Sequence, residues 1–190
     1  MAASESAFLP AAASAADVEQ FRSEVEALEA EQSEETKATY ALALSNLAAA
    51  LGASGDEEEA MEVYFRAKTA HEDAESTSTP SYADVAMNIG DHLNELGKVE
   101  EAKELFCKAK EVYLAQGWER TLNFAVLLHN LGLCQLKQGQ RREAQETFQE
   151  ALSAYEKVVL GEESPQYAEL LEDMRRAGMS DPSLALTVEP

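Results

Sequence analysis

The chain has 190 residues, 45% hydrophobic and 27% charged, enough for one compact domain or a short repeat array with a continuous core. Its 36 acidic and 15 basic side chains give a formal net charge of −21. Nucleic acid and anionic membrane surfaces would be repelled by that charge, and a basic protein or peptide would be attracted. No run approaches the roughly 18 apolar residues needed to cross a bilayer.

The charge is unevenly spread, −16 over residues 1–100 and −5 over residues 101–190. Acidic helix faces that keep an exposed repeat array in solution account for it as readily as a basic partner does. Cys107 and Cys134 form no CxxC pair and share no ligand spacing with His71, His92 or His129. Reduced, buried thiols are therefore expected, with no metal and no cofactor. Glycine-rich phosphate loops, HExxH motifs and nucleophile elbows do not occur, so no catalytic residues are assigned and the chain is expected not to be an enzyme.

In chain order, residues 1–16 (MAASESAFLPAAASAA) have Glu5, no basic residue and no uninterrupted apolar stretch. They fit neither a secretory signal nor a mitochondrial presequence and are expected to form a disordered leader. Residues 17–36 predict an amphipathic N-terminal capping helix with Val18, Phe21, Val25 and Leu28 on one face.

Three copies of one unit follow, at 37–79, 80–121 and 122–163. Slid along itself by a period of 42, the sequence places YALALSNLAAALGASG (40–55) on YADVAMNIGDHLNELG (82–97) and then on FAVLLHNLGLCQLKQG (124–139). Tyr40, Tyr82 and Phe124 share a column, and Asn46, Asn88 and Asn130 recur unchanged. Small residues stand at Ala48, Gly90 and Gly132, and Gly55, Gly97 and Gly139 close each block. The same shift aligns Ala60, Ala102 and Ala144, then Tyr64, Phe106 and Phe148, then Ala67, Ala109 and Ala151.

Each copy predicts two helices. Apolar residues at helical spacing (Leu44, Leu47, Ala48, Leu51) mark the first, and the closing glycine supplies the left-handed residue that ends it. Acidic residues open the second helix in two copies. Thr79–Pro80 and Ser164–Pro165 read as caps followed by first-turn prolines. Three features depart from the pattern. Gln135 stands where Leu51 and Leu93 predict an apolar side chain, the loop AQGWERTL lacks the proline, and the spacing from Phe124 to Tyr167 is 43. Residues 164–178 predict a C-terminal capping helix ended by Arg175, Arg176 and Gly178, and 179–190 a loose tail.

These small-residue, alanine and aromatic columns resemble the tetratricopeptide repeat signature over about residues 38–174. The common repeat is about 34 residues long, whereas the period here is 42. NIGDHLNELGKVEEAKELFCKAKEVY (88–113) and ALSAYEKVVLGEESPQYAELL (151–171) are similar to the longer repeats of kinesin light chains. The resemblance implies an all-α fold: a right-handed solenoid of antiparallel helix hairpins with capping helices at its ends. Three full repeats without a heptad coiled coil are expected to be less than a complete kinesin light chain.

The resemblance also implies a function. It points to a non-catalytic adaptor that holds a client segment in a concave groove lined by the first helices. The alternative is a permanent subunit of a large cytoskeletal or ciliary assembly. A cytoplasmic location, with cytoskeletal or ciliary association, is expected. The groove would carry Asn46, Asn88 and Asn130, whose carboxamides can hold a peptide main chain or else bond neighbouring helices. It would also present Ser45, Asp84, Met87, Asp91, Glu95, His129, Leu133 and Lys137, a mixture that favours a protein or peptide with basic or neutral anchors. Leu42, Ser45, Asp84, Met87, Val126 and His129 occupy the positions where some relatives cluster cations, which argues against a carboxylate clamp for chaperone C-termini. Trp118 is a candidate loop anchor, with packing under its own loop as the other reading.

Overall fold

The computed structural model describes residues 14–31, 33–158 and 164–179. The expected leader (1–16) and tail (179–190) lie almost wholly outside the described residues. Eight α-helices form among those residues: α1 (Ala15–Glu31), α2 (Lys37–Ser54), α3 (Glu57–Asp73), α4 (Pro80–Glu95), α5 (Val99–Ala115), α6 (Leu122–Lys137), α7 (Arg141–Glu156) and α8 (Pro165–Arg176). The chain divides into two compact units at Ile89/Gly90, within α4.

The turn chemistry explains where the helices stop. Gly55, Gly97 and Gly139 have φ of 89°, 78° and 75°, the left-handed region that costs a residue with a Cβ. The amides that follow them, of Asp56, Lys98 and Gln140, return to the carbonyls of Leu51, Leu93 and Gln135. One Schellman-type closure therefore recurs once per period, and it satisfies carbonyls that the helix end would otherwise leave open.

The starts of α4, α6 and α8 are capped by hydroxyls. Thr79 Oγ1 accepts from the Tyr82 amide at 3.3 Å, and Ser164 Oγ accepts from the Tyr167 amide at 3.1 Å. In the loop without proline, Thr121 fills the same role, accepting from the Phe124 amide at 3.3 Å. Thr121 lies one full period after Thr79. The cap survives the loss of the proline because the hydroxyl, not the ring, bonds the free amide.

In the first unit, α1 packs on α2 and α2 pairs with α3. The core holds Leu44, Leu47 and Leu51 of α2, Ala60, Tyr64 and Ala67 of α3, and Val25 of α1. In the second unit α6 packs on α5 and α7, and α8 closes over α7 and α6. Phe106, Tyr113, Leu127, Leu128, Phe148 and Tyr155 are fully buried there. Burying each such side chain contributes about 1.5–3 kcal/mol.

The small-residue column has a direct packing cause in the second unit. A Cβ on Gly90 would fall 2.9 Å from the Phe106 ring, and one on Gly132 would fall 2.5 Å from Phe148. The aromatic of the second helix occupies the space that a side chain on the first would need.

A second aromatic column makes its contacts only in three dimensions. His71 meets Tyr82, Tyr113 meets Phe124, and Tyr155 meets Tyr167, edge to face at 5.9, 6.1 and 5.7 Å between centroids. The first members, His71, Tyr113 and Tyr155, stand one period apart. Each pair joins the end of a second helix to the start of the next first helix, in a geometry that suits the ring quadrupoles.

Candidate functional site

The described residues around α4, α6 and α8 of the second unit enclose a cleft of about 690 Å3. Val126, Asn130 and Leu133 of α6 form its floor, Asp91 of α4 one wall, and Glu169, Glu172 and Asp173 of α8 the other. Polar contacts from α6 and α7 help to place α8. His129 Nε2 donates to Asp173 Oδ2 at 3.0 Å, and Arg141 Nη2 donates to the Ala177 carbonyl at 2.6 Å. A carboxylate can only accept, so Nε2 carries the imidazole proton.

Burial disfavours charge on His129 and lowers its pKa, although Asp173 and Glu169 act the other way. The ring also stands edge-on to Phe148 at 5.9 Å. His129 is only 4% exposed and touches the cleft merely at its floor. It fixes α8 more than it offers a contact.

Of the expected groove residues, Asn130 and Asp91 are brought together, with Nδ2 donating to Oδ1 at 3.1 Å across α6 and α4. This is the helix-to-helix bond that a carboxamide in that column could make. Asn88 instead donates to the Asp84 carbonyl of its own helix at 2.8 Å. Asn46, Asp84 and Met87 are half-buried, and Glu95 is exposed. Lys137 Nζ donates to the Asn94 carboxamide at 2.7 Å and to its carbonyl at 3.0 Å, which ties the end of α6 to the end of α4.

Asp91 is solvent-exposed at the wall yet crowded by its neighbours. Desolvation raises its carboxyl pKa, Glu95 adds to this, and Lys137 opposes it.

Ser45 departs from the expectation that it faces a groove. It is 8% exposed, donates to the Ala41 carbonyl at 2.8 Å and sits 3.1 Å from His71 Nε2. His71 is the centre of a buried polar cluster, with Ser76 Oγ 2.8 Å from Nδ1 and Ser81 Oγ 3.3 Å from Nε2. Burial lowers its pKa to about 4, against a hydrogen bond donated to the Ser76 backbone. Helical periodicity alone could not reveal a partner for Ser45 on another helix.

Trp118 lies in the loop between α5 and α6. It is half-buried beside Tyr113, with centroids 6.5 Å apart, and its amide donates to the Tyr113 carbonyl. The expectation of two buried thiols is corrected: Cys134 is buried and pushed up to about 11 by desolvation, whereas Cys107 is exposed on α5. An apolar flank at Cys107 does not imply burial, because its direction on the helix is away from the core. Among the described residues no group of His, Cys, Asp and Glu is arranged to hold a metal, and no helix is long and apolar enough to cross a membrane.

The hairpins, their glycine closures and their repeated aromatics agree with comparison to known proteins. Residues 81–157 match the tetratricopeptide repeat family. That segment carries the tetratricopeptide repeat pattern. The fold extends beyond it, since solved structures with this type of fold superpose on most of the chain. BtubC (BKLC) from P. vanneervenii is 17% identical and superposes with a TM-score of 0.60 over 90% of this chain and 74% of that one. A single-substitution variant of a Podosopora anserina protein, described as a kinesin light chain with nearly identical TPR-like repeats, is 22% identical. It has a TM-score of 0.59 over 84% of this chain and 74% of that one. A second Podosopora anserina structure of that description is 20% identical, with a TM-score of 0.55 over 85% of each chain. No curated protein matches the sequence significantly. The chain therefore has the all-α tetratricopeptide-type fold, and its structural neighbours include repeats of the kinesin-light-chain kind.

Proposed function

We propose that this protein is a non-catalytic interaction scaffold and that the α4–α6–α8 cleft holds a client segment with basic or neutral anchors. The observation that carries this reading is the lining of the cleft. Half-buried Val126 and Leu133 form an apolar floor, and Asp91, Glu169 and Glu172 line the walls. The cation at the rim, Arg176, is already engaged by Asp173 at 3.2 Å and Glu172 at 3.4 Å. An extended or helical segment could bury an apolar side chain on the floor and set Lys or Arg against the walls. Tetratricopeptide-type relatedness supports a protein partner, while the identity of the client follows from neither fold nor family.

The test is recovery of partners with the tagged full chain from its native cells, in parallel with an Asp91→Lys/Glu172→Lys variant. Loss of a partner with the variant, and binding of a short segment of that partner to the wild type, are expected. A partner retained equally by the variant would overturn the cleft assignment. A stoichiometric partner none of whose segments binds alone would favour a permanent structural subunit.

A further inference from the structure

A second cleft, of about 700 Å3, lies in the first unit between α1, the start of α2 and the outer side of α3. Its apolar surface comes from Leu28, Tyr40, Phe65 and Ala70, and its rim includes Glu62 and Asp73. Phe65 is 46% exposed, although it sits in a helix whose other face already fills the core with Ala60, Tyr64 and Ala67. The repeat does not require an aromatic there. Positions 65, 107 and 149 share one column and are all exposed, and the other copies carry Cys107 and Gln149. A large apolar ring left in water at this one copy, against a ready-made cleft, is a feature that core packing does not explain.

Charge decides what fits. Residues 14–89 carry 17 acidic and 4 basic side chains. The two cations at the cleft are already engaged: Lys37 pairs with Glu34 at 2.6 Å and Arg66 with Glu29 at 3.5 Å. Arg66 also donates to the Tyr40 hydroxyl at 3.1 Å, which holds the aromatic wall in place. The lining itself carries two acidic and two basic side chains, and Glu29 and Glu34, which hold those cations, bring the surroundings to four acidic against two basic around an apolar floor. We propose that this α1–α3 cleft is a second docking site, for a partner segment that brings a large apolar side chain flanked by Lys or Arg. It shares no residue with the α4–α6–α8 cleft and does not depend on that assignment.

The test uses the full chain and three fluorescein-labelled peptides of equal length. One carries Phe and Leu flanked by lysines, one has glutamates in place of the lysines, and one has alanines in place of Phe and Leu. In fluorescence anisotropy the first binds at least about tenfold more tightly than either control, a difference of about 1.4 kcal/mol. Salt at about 0.5 M weakens it, because the rim charges are exposed and screened. Phe65→Ser, and separately Glu62→Lys/Asp73→Lys, reduce the binding at least about tenfold, whereas Asp91→Lys/Glu172→Lys leaves it unchanged. Both variants change exposed or rim positions, and circular dichroism verifies that they fold.

Equal binding of the glutamate peptide, or no effect of Phe65→Ser, overturns the proposal. So does binding that appears only after residues 1–13 are deleted, which would make the chain's own segment the occupant. A dimer in light scattering that Phe65→Ser dissociates would make a second copy the occupant and equally overturn it.

Discussion

Phe148 and Gly132 are packed so closely that a Cβ on residue 132 would fall 2.5 Å from the ring. Phe148 is fully buried and cannot swing outward without emptying the α6–α7 core. Gly132→Ala is therefore expected to destabilise the second unit by about 1–3 kcal/mol, the usual cost of overpacking. Phe148→Leu in the same chain should recover part of that loss, because the two positions share one space. Urea unfolding monitored by circular dichroism checks both; additive losses would contradict the shared contact.

Gln135 offers the opposite case. Its Oε1 is buried without a hydrogen-bond partner, at the column where the first two copies carry Leu51 and Leu93. An unpaired buried polar atom costs about 1–3 kcal/mol. Gln135→Leu should raise stability by about 1 kcal/mol, read as a higher urea midpoint at unchanged slope. A lower midpoint would mean that the carboxamide contributes something the packing does not reveal.

The His71 cluster predicts a pH dependence in the first unit. The folded state holds the imidazole neutral down to about pH 4, chiefly by burial. The unfolded chain takes up its proton near pH 6.5. Between these values the unfolded state binds more protons, so stability contributed by His71 is complete above about pH 6.5 and is lost as the pH falls towards 4. Unfolding midpoints measured at pH 7 and pH 5 should differ more for the wild type than for His71→Gln. An identical pH slope in the two proteins would remove His71 as the cause.

The hold on α8 rests on Asp173 and Arg141. Asp173→Ala leaves the His129 Nε2–H without its acceptor at a side chain only 5% exposed. That loss is expected to cost about 1–3 kcal/mol and to fall mainly on α8. Amide exchange over Pro165–Arg176 should accelerate about tenfold or more, with smaller changes in α6 and α7. Uniform acceleration across the second unit would show that α8 and the hairpin open together.

Much of this protein was legible in residue order alone. The repeating register marks both helices of each hairpin, because a helix pattern and its glycine stop are local properties of a few consecutive residues. It also marks Gly132 and Phe148 as recurrent columns, without revealing that the two touch. Faces were readable where apolar residues recur every turn, as in Leu44, Leu47 and Leu51. They were not readable for lone polar residues. Ser45 lies one position from Asn46 in the same helix, yet it turns inward because His71 waits on the neighbouring helix. Only packing between helices brings such partners within hydrogen-bond distance. Packing likewise decided that Trp118 leans on Tyr113, that His129 fastens α8, and that Phe65 stays in water beside an acidic cleft.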